Sequence, residues 1–314
     1  VSHATTERRL LSFGPPASPV WLALAPRGNA LVIIDAESRF SLWSLDVAYP
    51  EVTWRALFAR MWYEGYDGPE FVWQSSAATS DFEPKLSLIP LVAGSLKGTV
   101  YAMLLAGPLA LLGALYTSQF TSFGFRRFIK PAVELMAAIP SVVIGFIGML
   151  VLAPWIKSIL DLPTGLTALT GSIMLAFMAM PTIISISEDA IVAVPRDYGA
   201  GALALGATRW QSITGVIVPA ARSGIIAGVM LGAGRAIGET MTVLMVTGNA
   251  AVIPHSLLQP VRTMTATIAA EMGEVAQGTP HYFVLFAIGL VLFIMTFLIN
   301  LAADLALQKS RVRR

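Results

Sequence analysis

Arg235 and Glu239 sit in an otherwise apolar run, ARSGIIAGVMLGAGRAIGETMTVLMV (Ala221–Val246), and they carry the clearest chemistry in the sequence. An ionised side chain near the centre of a bilayer costs roughly 2.5–3.5 kcal/mol on insertion scales, so it is a functional site by default. Read as one helix, the run places Arg235 about 20 Å from Arg222, close to the bilayer midplane. At about 100° per residue, Arg235 and Glu239 fall within roughly 60° of Gly224. They share that side with Gly224, Gly228, Gly232 and Ala236, small residues at steps of four that suit close helix packing. As an i,i+4 pair, the two charges can also neutralise one another at rest. The implied chemistry is anion handling: Arg235 lowers the barrier for a partly desolvated oxyanion, and Glu239 holds Arg235 or competes for it. The other reading is a buried ion pair that sets helix register.

A second constellation is PAVELMAAIPSVVIGFIGML (Pro131–Leu150). Glu134 is expected about one turn inside a membrane helix, which Pro140 then interrupts, freeing backbone groups that neighbours or cavity water must satisfy. A third, DYGAGALALGATRWQSITGVIVPAARSGI (Asp197–Ile225), is neither span nor ordinary loop. Ala200, Gly201 and Ala202 form a small face that a partner can approach, Gly206 permits a sharp turn, and Pro219 is expected to break the chain before the next span. The spacing resembles the EAA loop, E-A-A-x3-G-x9-I-x-L-P, by which permease subunits of binding-protein-dependent ABC importers dock on their ATPase. The family's Glu is Ala200 here, so the resemblance implies docking through shape and through neighbours such as Arg196 and Arg209. The alternative is an amphipathic connector without a partner.

Other candidates are weaker. GALALGAT (Gly201–Thr208) has the glycine spacing of a phosphate-binding loop, but Ala207 stands where its Lys must be, so no ATPase is expected in the chain. His3, His255 and His281 lack ligand spacing and read as solvated loop histidines; no metal site is expected. Glu188–Asp189 and Glu271 with Glu274 read as solvated helix faces, with contacts to an ATPase or a binding protein as the alternatives. Neither a Ser-His-Asp set nor H-E-x-x-H occurs, which argues against a membrane hydrolase.

The elements that must position these residues are membrane helices. With 55% hydrophobic and 13% charged residues and a mean hydropathy of +0.70, the chain reads as an integral membrane protein. Its net charge of +2 argues against nucleic acid, and the absence of cysteine excludes disulfides and thiolate centres. Apolar stretches of sufficient length lie near Val92–Tyr116, Ala132–Leu152, Leu166–Ile186, Ala221–Val246 and Tyr282–Leu305. When these alternate, Arg126, Arg127, Lys130, Arg196, Arg209, Arg222 and the tail Lys309, Arg311, Arg313 and Arg314 share one side. That side is cytoplasmic by the positive-inside rule, which puts residues 1–91 outside and the C-terminus inside.

Residues 1–48 read as three short strands with turns at Pro26–Asn29 and Glu37–Ser38, resembling part of a WD-like β-propeller. One blade cannot bury its own faces, so a longer parent chain is expected, with a cytoplasmic start, a further membrane helix and more blades. A plain hairpin is the alternative. No charged n-region and apolar h-region follow Val1, so delivery to the membrane is expected to depend on something upstream. Residues 49–91 read as an extracytoplasmic linker, 92–308 as the transmembrane domain with its docking loop near 188–219, and 309–314 as a basic tail.

Taken with the docking loop, the E-x4-I-P-S-V-V-x-G-F run from Glu134 and the G-R-A-x-G-E-T run from Gly234 to Thr240 resemble permease subunits of phosphate importers. The resemblance implies an all-α polytopic membrane protein of the type I ABC importer permease fold, preceded by a small β-rich extracytoplasmic segment. It implies a substrate path through Arg235, Glu239, Glu134 and Thr240. Implied partners are a periplasmic binding protein, a cytoplasmic ATPase dimer that uses the ATP, and a second permease subunit paired through the Gly-rich helices. No cofactor is expected on this chain, and no enzymatic activity. Molybdate, tungstate or sulfate remain alternative substrates, and a membrane sensor without net transport is the alternative of another class.

Overall fold

The computed structural model describes residues 5–6, 9, 19–25, 30–45, 52–76 and 83–312. The expected Pro26–Asn29 turn, His3, Arg313 and Arg314 lie outside them. The chain divides into two compact units, Val1–Leu88 with Gln277–Val284, and Ile89–Ala276 with Leu285–Arg314.

In the first unit, β1 (Pro19–Leu24), β2 (Ala30–Asp35) and β3 (Phe40–Ser44) form an antiparallel meander. Alternate residues of β2, Leu31 and Ile33, bury with Leu45. Asp35 Oδ1 accepts from the N–H groups of Glu37 and Arg39, both at 2.9 Å, which closes the β2–β3 turn over Ser38 at φ +58. The backbone bond from Arg39 leads in holding the Asp35 carboxyl below its usual pKa. No further propeller blade occurs among the described residues. The stretch that follows is folded: α1 (Trp54–Phe58) and the pair β4 (Trp73–Gln74) and β5 (Lys85–Leu86) accompany a core of Ala56, Met61 and Tyr63. Burial pushes the Tyr63 hydroxyl up to about 12. His281 stands edge-on to Trp73 at 6.2 Å, so it is not the solvated loop histidine expected.

The second unit comprises α2 (Ile89–Leu115), α3 (Phe123–Ala138), α4 (Ser141–Ile147), α5 (Ala153–Leu160), α6 (Ala168–Val192), α7 (Arg196–Ala204), α8 (Arg209–Ser212), α9 (Val218–Gly238), α10 (Met241–Val246) and α11 (Met264–Glu271). The last helix, α12 (Pro280–Val312), starts in the first unit and ends in the second. Among the described residues, five runs are long and apolar enough to span a membrane: Ile89–Phe120, Ser141–Leu160, Ala168–Val192, Arg209–Gly238 and Pro280–Ala302. Lys309 and Arg311 belong to the end of α12 and not to a separate tail.

Small residues decide how the spans pack. On α2, Ala102, Ala106 and Ala110 are fully buried at steps of four, in one cluster with Leu175, Ala179 and Ile183 of α6. The α9 ridge also meets α6: a Cβ on Gly224 would come within 2.2 Å of Ala190 Cβ, and one on Gly232 within 2.5 Å of Ile183 Cγ1. The ridge at Gly224, Gly228 and Gly232 is thus filled by α6, so these three glycines are not open to a second subunit, whereas Gly234 and Gly238 of the same helix face open space.

Three boundaries also depart from the sequence reading. The expected interruption at Pro140 is present, with Ile139 and Pro140 extended (ψ 128 and 135) because a residue before proline disfavours the helical region, but the run long enough to span is Ser141–Leu160 and not Ala132–Leu152. The expected helix Ala221–Val246 stops at Gly238, with Glu239 extended at ψ 130. Pro219 does not break the chain. A π-turn over Ile213–Ile217 lets the Val218 N–H reach the Ile213 carbonyl, and Pro219 falls in the first turn of α9, where a missing N–H costs little.

Candidate substrate path and docking surface

The interruptions after α3 and α9 lie beside each other. Thr242 Oγ1, in the first turn of α10, donates to the Ser141 carbonyl at 2.9 Å, and a Cβ on Gly145 of α4 would lie only 3.0 Å from Thr242 Cα. Arg235, in the last turn of α9, donates through Nη1 to Thr182 Oγ1 (3.3 Å) and through Nη2 to the Ala137 carbonyl (3.2 Å). Its guanidinium therefore rests at the C-terminal ends of α3 and α9, where free carbonyls and the negative end of the helix dipole favour a cation.

Glu239 does not pair with Arg235, and Arg235 forms no ion pair among the described residues. The break removes the i,i+4 geometry. Instead, Glu239 Oε1 accepts from the Thr242 N–H (3.2 Å) and caps α10, while the Glu239 carbonyl accepts from Thr265 Oγ1 (2.8 Å). Glu239 also lines a cavity of about 10 Å3 with Ser95, Thr99, Ser172, Thr247 and Thr263, room for about one water. Thr240 Oγ1 donates to the Gly238 carbonyl (3.3 Å). Glu134 is not brought to this group. It is exposed on α3, beside a cleft of about 430 Å3 shared with Arg126, Arg127 and Lys130.

The other candidate region surrounds α7, none of whose residues is buried. Gly206 makes the turn after it at φ +88, and Thr208 and Gln211 form a reciprocal cap that starts α8. Ser212 Oγ ties α8 back to the Gly199 carbonyl (3.3 Å). Arg209 donates to the Gln119 carbonyl (3.3 Å) and lies over the Phe120 ring at 5.7 Å. Arg126, Arg196 and Arg209 border a cleft of about 480 Å3 with Leu203 and Ile217. Ala200 and Gly201 are exposed and Ala202 half-buried. Apolar residues that small-residue spacing does not pick out flank them: Tyr198, Leu203 and Leu205 are exposed, Leu205 at 91%.

Spacing alone also misplaces one acid of each acidic pair, Glu188 and Glu271, whereas Asp189 and Glu274 are exposed as expected. Glu188 is buried, its side chain 3% exposed, with Oε1 2.6 Å from Arg126 Nε, and Asp189 Oδ1 is 2.7 Å from Lys130 Nζ. The Asp189 hydrogen bond leads in raising the Lys130 pKa above its ordinary value. Glu271 is not solvated either, since it pairs with Arg262 at 2.9 Å. In each case the signal was an opposite charge more than eight residues away in sequence, which spacing within one helix does not register.

The sequence pattern of the family described as "Binding-protein-dependent transport system inner membrane component" matches residues 106–312. The chain belongs to that family. This permease is 40% identical over 229 residues to the "Probable ABC transporter permease protein YqgH" of Bacillus subtilis (strain 168), covering 73% of this chain and 74% of that protein. It is 35% identical over 277 residues to the "Phosphate transport system permease protein PstC" of Mesorhizobium japonicum (strain LMG 29417 / CECT 9101 / MAFF 303099), covering 82% and 84%. Among solved structures, a chain of the MetNI methionine ABC transporter in inward-facing conformations aligns at TM-score 0.53 and 18% identity, over 71% of this chain and 97% of that one. A chain of a bacterial ABC transporter involved in import of the acidic polysaccharide alginate aligns at TM-score 0.53 and 17% identity, over 70% and 79%. The permease is a multi-pass, mostly helical membrane protein with the type I ABC importer permease fold and a small β region near its N-terminus.

Proposed function

We propose that the chain is the membrane-spanning permease subunit of an ATP-driven importer of inorganic phosphate, with no catalytic site or cofactor of its own. The observation that carries this reading is the state of Arg235. Its hydrogen-bond partners are a hydroxyl and a carbonyl, which are neutral, so among the described residues no carboxylate cancels its positive charge. An oxyanion reaching the adjacent breaks of α3 and α9 can exchange its oxygens for those two acceptors. Glu239 is occupied at the start of α10, where the helix dipole offsets its negative charge, so it leaves Arg235 available. Discontinuous helices near mid-membrane are a recurring way to build such sites. Phosphate, rather than another oxyanion, is supported by relatives bearing the name PstC.

In this reading Arg126, Arg196, Arg209 and the end of α12 face the cytoplasm, residues 1–91 are extracytoplasmic, and the spans lie in the inner-membrane bilayer. Arg196, Ala200, Gly201, Ala202, Gly206, Arg209 and Pro219 form or shape the surface that docks on a cytoplasmic ATPase dimer, with Tyr198, Leu203 and Leu205 as its apolar contacts. A second, homologous permease subunit completes the path, and a periplasmic substrate-binding protein delivers the anion. Thr240 and Glu134 belong to the path only as it opens. The test is uptake of labelled phosphate by cells carrying the chain with its ATPase and permease partners, against excess molybdate or sulfate. Chain-dependent uptake that resists both competitors is expected. Competition would reassign the oxyanion, and no chain-dependent uptake of any oxyanion would overturn transport in favour of sensing.

A further inference from the structure

We infer that the pair of half-exposed Arg126 with buried Glu188 is a positioning device through which α3 carries movement of the docking surface to Arg235; this rests on the importer reading above. The helix is pinned at both ends. Near its start, Arg126 Nε meets Glu188 Oε1 at 2.6 Å, and one turn later Lys130 meets Asp189 at 2.7 Å. Near its end, the Ala137 carbonyl accepts from Arg235 at 3.2 Å. Arg126 and Ala137 are about 16 Å apart along one helix, which continues through Pro131 despite the backbone N–H that residue lacks, so a tilt at one end is delivered at the other.

The pinned start adjoins the docking surface in two ways. Arg126 itself borders the cleft formed with Arg196, Leu203 and Arg209. Glu188 lies in the last turns of α6, whose end at Val192 is joined to α7 only by Ala193–Pro195. A push on α7 therefore acts directly on the acidic end of the pair. An apolar contact of similar size could also hold α3 against α6, because taking the Glu188 carboxylate out of water offsets much of what its attraction to Arg126 returns. What the ion pair supplies is a contact with distinct made and broken states, as a two-position element requires.

The test uses the assembled importer in vesicles, with phosphate as the probe. Glu188→Gln keeps the side-chain shape and removes its charge. Phosphate taken up per ATP hydrolysed is expected to fall roughly tenfold, the size of coupling that a residue between two sites can carry. The double exchange Arg126→Glu with Glu188→Arg is expected to restore most of that ratio, while either exchange alone is not. A ratio unchanged in Glu188→Gln, or one that the double exchange does not restore, overturns the proposal. The chain contains no cysteine, so Leu135→Cys on α3 and Leu104→Cys on α2 can carry spin labels without other changes. A nucleotide-driven change in their separation that disappears in Glu188→Gln supports the strut, and one that persists overturns it. This distance reads no substrate: if the unaltered importer takes up no oxyanion while the distance change still depends on Glu188, the importer reading fails and the strut stands.

Discussion

Around Arg235 the polar groups are tied to distant parts of the chain, whereas around α7 the apolar groups are left open. Arg235 reaches Thr182 and Ala137, and Thr242 reaches Ser141, joining α3, α4, α6, α9 and α10. On α7 nothing is buried, and Leu205 is 91% exposed. In a low-dielectric interior an unsatisfied polar group is costly, so a site for a charged solute must arrive already hydrogen-bonded and give up those bonds on binding. A surface meant for a protein partner has the opposite need, since its contribution comes from apolar area that the partner covers. The difference teaches that the two regions fail in different ways when altered.

Arg235→Gln sharpens the contrast most. Uptake is expected to fall several hundredfold, as when one preorganised electrostatic donor is lost, with the permease assembling normally. Co-purification with the ATPase alongside transport measures both, and failed assembly would show a register role instead. Gly224→Val attacks the packing that aligns α9 with α6. With Ala190 Cβ only 2.2 Å from the new Cβ, destabilisation of about 2 kcal/mol is expected, read as earlier thermal aggregation in detergent. Leu205→Asp acts only at the open surface: stability is expected to stay within about 0.5 kcal/mol. Coupled uptake should drop roughly tenfold as an apolar contact is lost. Unchanged uptake would break the comparison by removing α7 from the docking surface.

The smallest expected effect concerns pH. Lys130 is held above its ordinary value of 10.5 by Asp189, so its contribution to stability is complete below that value and is lost as pH rises through the raised one. Asp189→Asn should abolish this alkaline loss. The pair is solvent-exposed and screened, so salt should weaken it similarly. Thermal unfolding at several alkaline pH values checks both statements.

Hydropathy and composition alone made the membrane class and the presence of five spans legible, though not every bound, because hydrocarbon solvent demands about 20 apolar residues in a row. Gly206 was legible as well, since a sharp turn with positive φ favours a residue without Cβ. The Pro140 break was visible because a proline keeps the residue before it, Ile139, out of the helical region. The Glu239 break was not: it depends on Glu239 capping α10 and on Thr265 meeting its carbonyl, and the latter partner lies 26 residues along the chain. The uncompensated charge of Arg235, the burial of Glu188 and the use of the glycine ridge within the chain were likewise decided by tertiary structure. Each is set by which helix faces come together, and a charge, a cap or a glycine acquires its role only from the atoms placed against it.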